Sequence, residues 1–226
     1  MGSSYGMISS SGNFAKESVL WPSPVVVSAC ESAPFAIARN VQMLDKFWIK
    51  AQPYALKFML NNDPLAKKFV GGTVDQAFLS AMSYHRWHSP ISGRVVKTEV
   101  IPGTYYSEAL SAGFDPSAPN DSQGYLAEIA TRAVIYIEAD NPDIGLMCFV
   151  AIGMAEVSTC EISVYQGQYI QKGQETGMFH FGGSTYCLIF GPHVNIDFDL
   201  HGQKPGLKSS NININSRLAI VGPRNK

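Results

Sequence analysis

The sequence has little charge and no block of it. Only 15% of its 226 residues are Asp, Glu, Lys or Arg, the formal net charge is −1, and no Lys/Arg run stands out. This argues against a nucleic-acid surface and against an anionic-lipid patch, so neither nucleic acid nor stable membrane insertion is expected. Cysteine pairs are missing too. Cys30, Cys148, Cys160 and Cys187 lie far apart, never in Cys-x-x-Cys spacing and mostly within apolar runs. They read as buried free thiols in a reducing compartment, which points to the cytoplasm. No hydrophobic run is long enough to span a bilayer: the longest, residues 144–155, is about a dozen residues with two glycines inside it, suitable for a buried strand. Histidine is scarce. Of the five, His180, His193 and His201 are scattered, and no metal site is expected. No signal peptide is expected, and residues 1–11 read as a Gly/Ser-rich leader, so residues 1–23 are set apart from the expected fold.

What is present is a core. At 46% hydrophobic the chain can bury one domain, assigned here to residues 24–226. Residues 25–29, 47–49, 94–100, 132–138, 144–152 and 161–165 are rich in Val, Ile, aromatic and other apolar residues and read as strands. Pro53 and the Asn-Asn-Asp-Pro at 61–64 bracket a short helix over residues 53–61, and a second covers 65–69. Residues 113–124 form a long polar stretch without periodicity, read as a mobile segment or a lid. The expected fold class is α+β, mainly β: antiparallel sheets with a barrel- or sandwich-like core and a few short helices.

The chain is organised around residues 177–190, where Gly182-Gly183 stop just short of Ser184 and an apolar strand follows. Glycine carries no Cβ, so a neighbouring hydroxyl reaches its carbonyl carbon more easily than at other residues. Gly183-Ser184 therefore reads either as a bond the protein cuts itself or as a tight bend between strands. Two further features favour cutting. His85 and His88 sit three apart and could take a proton from a serine, and Glu31 could orient such a histidine. Aromatic residues crowd the same motifs: Trp87, Tyr105, Phe179, Phe181 and Tyr186 are candidates for a pocket that holds a planar apolar side chain, or ordinary core.

These residues carry a resemblance. Tyr84-His85-Arg86-Trp87-His88-Ser89-Pro90 with Gly93, and Lys172-Gly173-Gln174-Glu175-x-Gly177-Met178-Phe179-x-Phe181-Gly182-Gly183-Ser184-Thr185, resemble the two signature blocks of the phosphatidylserine decarboxylase family. Residues 28–32, 60–64 and 137–141 are most similar to its soluble fungal branch, typified by a tryptophan decarboxylase. The resemblance implies a pyruvoyl enzyme without pyridoxal phosphate or metal. Ser184 would attack the Gly183 carbonyl to give an ester; elimination and hydrolysis would then leave a pyruvoyl group on a small fragment, 184–226, beside a large fragment, 1–183. A Schiff base with a substrate amine would take up the electrons as carbon dioxide leaves. It further implies His88 as the base for Ser184 and His85 as the group that protonates the carbanion. Glu31 stands where membrane members keep an Asp. The expected substrate is a free aromatic L-amino acid, tryptophan first. Phosphatidylserine is the alternative substrate, a lipoyl- or biotinyl-like β module around Lys172-Gly173 the non-enzymatic alternative, and a homo-oligomer stays open.

Overall fold

A seven-stranded antiparallel sheet carries the fold, with helices on one face and two small sheets on the other. The computed structural model describes residues 23–44, 54–80, 83–107, 122–154, 159–180 and 184–224. In chain order the elements are β1 (Val25–Val27), β2 (Ala33–Arg39), α1 (Leu56–Met59), a 3-10 helix (Pro64–Phe69), β3 (Thr73–Leu79), β4 (Arg86–His88), β5 (Gly93–Ile101), α2 (Gln123–Ile129), β6 (Arg132–Ala139), β7 (Leu146–Gly153), β8 (Thr159–Ile162), β9 (Tyr169–Ile170), β10 (Glu175–His180), β11 (Ser184–Phe190), β12 (Asn195–Phe198) and β13 (Arg217–Gly222). The large sheet runs β2-β3-β11-β7-β6-β5-β9; β4-β10-β8 and β1-β13-β12 form the small ones. None closes into a barrel among the described residues, and the mainly antiparallel α+β expectation holds.

β11 is buried along its whole length because both faces of the sheet are covered, and that is why it reads as an unbroken apolar run. Successive side chains alternate between two cores. Tyr186, Leu188 and Phe190 join Trp87, Phe149, Phe179 and Leu79 on the small-sheet face. Cys187 and Ile189 join Leu56, Phe69, Leu126 and Val150 on the helix face. Ser184, at the head of the strand, stands opposite Leu79 in β3 and Gly153 in β7.

Several expectations shift at their edges. The strand over 161–165 is instead Thr159–Ile162, because Gly167 turns the chain at φ 87° soon after. The helix over 65–69 is a 3-10 helix starting at Pro64, where the Asp63 carboxylate accepts from Leu65 N at 2.8 Å. The helix over 53–61 is reduced to Leu56–Met59. Residues 123–124, read as part of a polar loop, open α2 instead: Leu126 and Ala127 bury against α1, and Glu128 accepts from Ala55 N at 2.8 Å. The strand over 47–49 and the rest of that loop, up to residue 121, lie outside the described residues. Cys30, Cys148 and Cys187 are buried free thiols, whereas Cys160 is only partly buried.

Candidate active site

Alternation in β4 sets the histidines apart. Trp87 is fully buried and Arg86 exposed; His85 faces inward like Trp87, with its Nε2 in the interior and its ring edge-on to Phe179 at 6.5 Å. Phe179 N donates to the His85 carbonyl at 3.0 Å, which ties this histidine to the strand that leads into the Gly183-Ser184 segment. Trp87 packs on Phe179 and Phe149 at 5.0 and 5.6 Å, and Phe149 stacks on Tyr186 at 5.8 Å. A Cβ on Gly177 would come within 2.6 Å of the Trp87 ring, so only glycine lets β10 lie against the indole.

His88 is half-buried. Its Nδ1 lies 2.7 Å from the Gly173 carbonyl and its Nε2 3.2 Å from the Tyr84 hydroxyl. A carbonyl can only accept, so Nδ1 carries the proton and Nε2 of the neutral ring presents its lone pair. Burial lowers the His88 pKa from the ordinary histidine value; the Gly173 bond and Glu175 work in the other direction. The ring is thus held neutral, in the tautomer a general base needs.

Glu31 does not provide that orientation. Its carboxylate accepts from Asn211 Nδ2 at 3.4 Å, and Asn211 also donates to Ser83 at 3.1 Å, while both ring nitrogens of His88 have other partners. A backbone carbonyl fills the role expected of the carboxylate. The peptide of His88 does reach that turn, donating its N–H to Ala29 O at 2.8 Å.

Ser184 is fully buried, and its Oγ has no hydrogen-bond partner among the described residues. On the same face the Tyr186 hydroxyl also lacks a partner. It lies beside Ser28 and Ser32, but those hydroxyls donate to the Cys30 carbonyl at 2.8 and 3.3 Å. Asp75, in the neighbouring strand, is buried with neither oxygen bonded among the described residues, and burial pushes its carboxyl up to about 7.

Of the aromatic candidates, Trp87, Phe179 and Tyr186 belong to the packed core. Tyr105 is 57% exposed, next to a bridge between Thr104 and Ala130 near α2. Phe181 and Gly183 lie outside the described residues. A cavity of about 310 Å³ sits elsewhere, between Ser92, Asp140, Tyr169 and Lys172 at the far end of β6 from Ser184. Lys172 is 7% exposed, and desolvation brings its amine down to about 8. It is not the exposed hairpin-tip lysine that a lipoyl or biotinyl carrier requires. Three further groups at the site carry little signal in the sequence. Tyr84 is one residue of the first signature block, the Gly173 carbonyl leaves no side-chain signal, and Asp75 is a lone carboxylate in the segment 73–79.

The model of the phosphatidylserine decarboxylase family matches residues 15–211. The chain belongs to this family. It is 48% identical over 209 residues to the decarboxylase iboD of Amanita muscaria, covering 87% of this chain and 59% of that protein. It is 45% identical over 172 residues to the L-tryptophan decarboxylase of Psilocybe cyanescens, covering 73% of this chain and 39% of that protein. Phosphatidylserine decarboxylase proenzyme 3 of Schizosaccharomyces pombe is more distant, 30% identical over 177 residues, 78% of this chain and 17% of the proenzyme. The chain thus spans about three fifths of the first of these family members and about two fifths of the second. No helix among the described residues is long and apolar enough to cross a membrane.

Proposed function

We propose that this family member is a cytoplasmic, self-processing decarboxylase whose residues 24–226 form one catalytic domain, cut into 1–183 and 184–226. Its substrate in this reading is a free aromatic L-amino acid, tryptophan before phenylalanine or tyrosine. The observation that carries the reading is the Ser184 hydroxyl, buried and without a hydrogen-bond partner among the described residues, at the head of β11. Leaving such a group without a partner costs about 1–3 kcal/mol, and orphaned buried polar atoms of this kind call for a chemical role.

Ser184 Oγ is the nucleophile toward the Gly183 carbonyl carbon, and His88 Nε2 takes its proton. The surroundings of residue 184 suit a small neutral ketone: Leu79 and Gly153 flank it, and Phe149, Phe179 and Trp87 keep its face of the sheet dry. A pyruvoyl group there would supply a ketone that takes a substrate amine and draws off the electron pair as carbon dioxide leaves. His85, facing inward on the same side, is placed to return a proton to the substrate carbon.

The fungal relatives at 44–48% identity, two of them named L-tryptophan decarboxylase, support the amino-acid substrate. The family model and the relatives at about 30% favour phosphatidylserine as the second reading. The test has two parts. Intact-mass spectrometry should find the two fragments, the smaller blocked at its N-terminus. Matured protein should then release carbon dioxide from tryptophan and not from phosphatidylserine vesicles. Release only from vesicles overturns the substrate and leaves the processing in place.

A further inference from the structure

The basic nitrogen of His88 is already occupied. With Nδ1 committed to the Gly173 carbonyl at 2.7 Å, Nε2 accepts, and the Tyr84 hydroxyl donates to it at 3.2 Å with the two rings 5.8 Å apart. Ser184 Oγ, meanwhile, has no partner among the described residues. Nε2 is thus bonded to Tyr84, and among the described residues no hydrogen bond joins it to Ser184 Oγ. We propose that Tyr84 is a positioning residue that parks His88 and so slows cutting of the Gly183-Ser184 bond. The proposal rests on the self-processing reading above and concerns its timing.

An imidazole nitrogen has one in-plane lone pair and cannot accept from Tyr84 and from Ser184 at once. Cutting proceeds only in molecules where the tyrosine has turned away. In those, the Oγ proton moves to Nε2, the bond from Oγ to the carbonyl carbon of residue 183 forms, the carbon–nitrogen bond to residue 184 breaks, and the freed amine takes the proton. Tyr84 is 41% exposed, so its hydroxyl can exchange His88 for water, and the exchange is governed by the small net worth of one hydrogen bond. The other charged groups facing His88 are Glu175 and Arg86, which pair with each other, and the Cys30 thiol lies beside Tyr84, kept protonated by burial. None of these offers Nε2 a competing proton donor.

The experiment follows cutting in freshly synthesised full-length chain, wild type against Tyr84→Phe, across pH. The variant should cut about five-fold faster, the ratio one net hydrogen bond allows. The acid limb of its rate profile should lie at higher pH, because a hydroxyl donated to Nε2 stabilises the neutral ring and its loss raises the pKa. A merely structural tyrosine would give slower cutting. As an independent readout, the NMR titration midpoint of His88 in Ser184→Ala protein, which cannot cut, should rise when Tyr84→Phe is added. Equal or slower cutting overturns the brake alone, as does an unmoved midpoint. If neither wild type nor Tyr84→Phe ever cuts, the self-processing reading falls and takes the brake with it.

Discussion

Two adjacent pairs of residues straddle the large sheet and meet opposite fates. Gln76 and Thr185 point to the helix face, where Tyr54 donates to Gln76 at 2.5 Å, Gln76 donates to Thr185 at 3.1 Å and to the Gln123 carbonyl at 3.2 Å, and Thr185 donates to the Ala77 carbonyl at 2.9 Å. Their sequence neighbours Asp75 and Ser184 point to the small-sheet face, where neither has a hydrogen bond among the described residues and Trp87 Nε1 and the Tyr186 hydroxyl lack one there as well. The helix face is not perfectly satisfied, for Gln123 Oε1 has no partner among the described residues. Still, the contrast separates two uses of buried polarity. A closed network fixes register and stability. Open groups cost stability and remain free to react.

Removing the Ser184 hydroxyl, the proposed nucleophile, should have the largest effect. Ser184→Ala is expected to abolish both the cut and carbon dioxide release while leaving the thermal midpoint unchanged or raised, since no hydrogen bond is lost; intact mass and calorimetry check the two halves. A variant that still cuts would dissolve the distinction between the faces. Next come the histidines. His88→Ala should remain uncut, whereas His85→Ala should be cut at the normal rate and decarboxylate about 100-fold or more slowly. Failure of His85→Ala to cut would show that the inward histidine shares the first task.

Asp75 tests the cost of an open group. Its folded value, about 7, lies above the unfolded 3.8. The folded state therefore holds its proton longer, and stability falls as pH rises from about 4 to about 7. Asp75→Asn should remove that slope, gaining roughly 3 kcal/mol on the wild type between pH 5 and pH 8 in urea melts. Parallel stability curves would mean the carboxyl is not held neutral. The smallest effect belongs to the closed network: Thr185→Val should destabilise by about 1–3 kcal/mol yet still cut, and a loss of cutting would show that the two faces are not independent.

Local chemistry was enough for part of this. β11 and β7 were legible as apolar runs because central strands covered on both faces have no polar side to show, and the two signature blocks identified the family from residues close in sequence. Element edges were less legible where a single contact decides them, as Glu128 does for α2 by bonding Ala55, 73 residues away. The site shows the same limit. Ser184, His85 and His88 were legible in the sequence as candidates, but the hydrogen-bond partner of His88 Nδ1 is the Gly173 carbonyl, 85 positions distant, while Glu31 accepts from Asn211. Likewise only packing assigns Trp87, Phe179 and Tyr186 to the core. The sequence determined which groups carry reactive chemistry, because side-chain chemistry is local; the tertiary structure decided which of them are bonded and which are left open, because hydrogen-bond partners are set by strand register between distant segments.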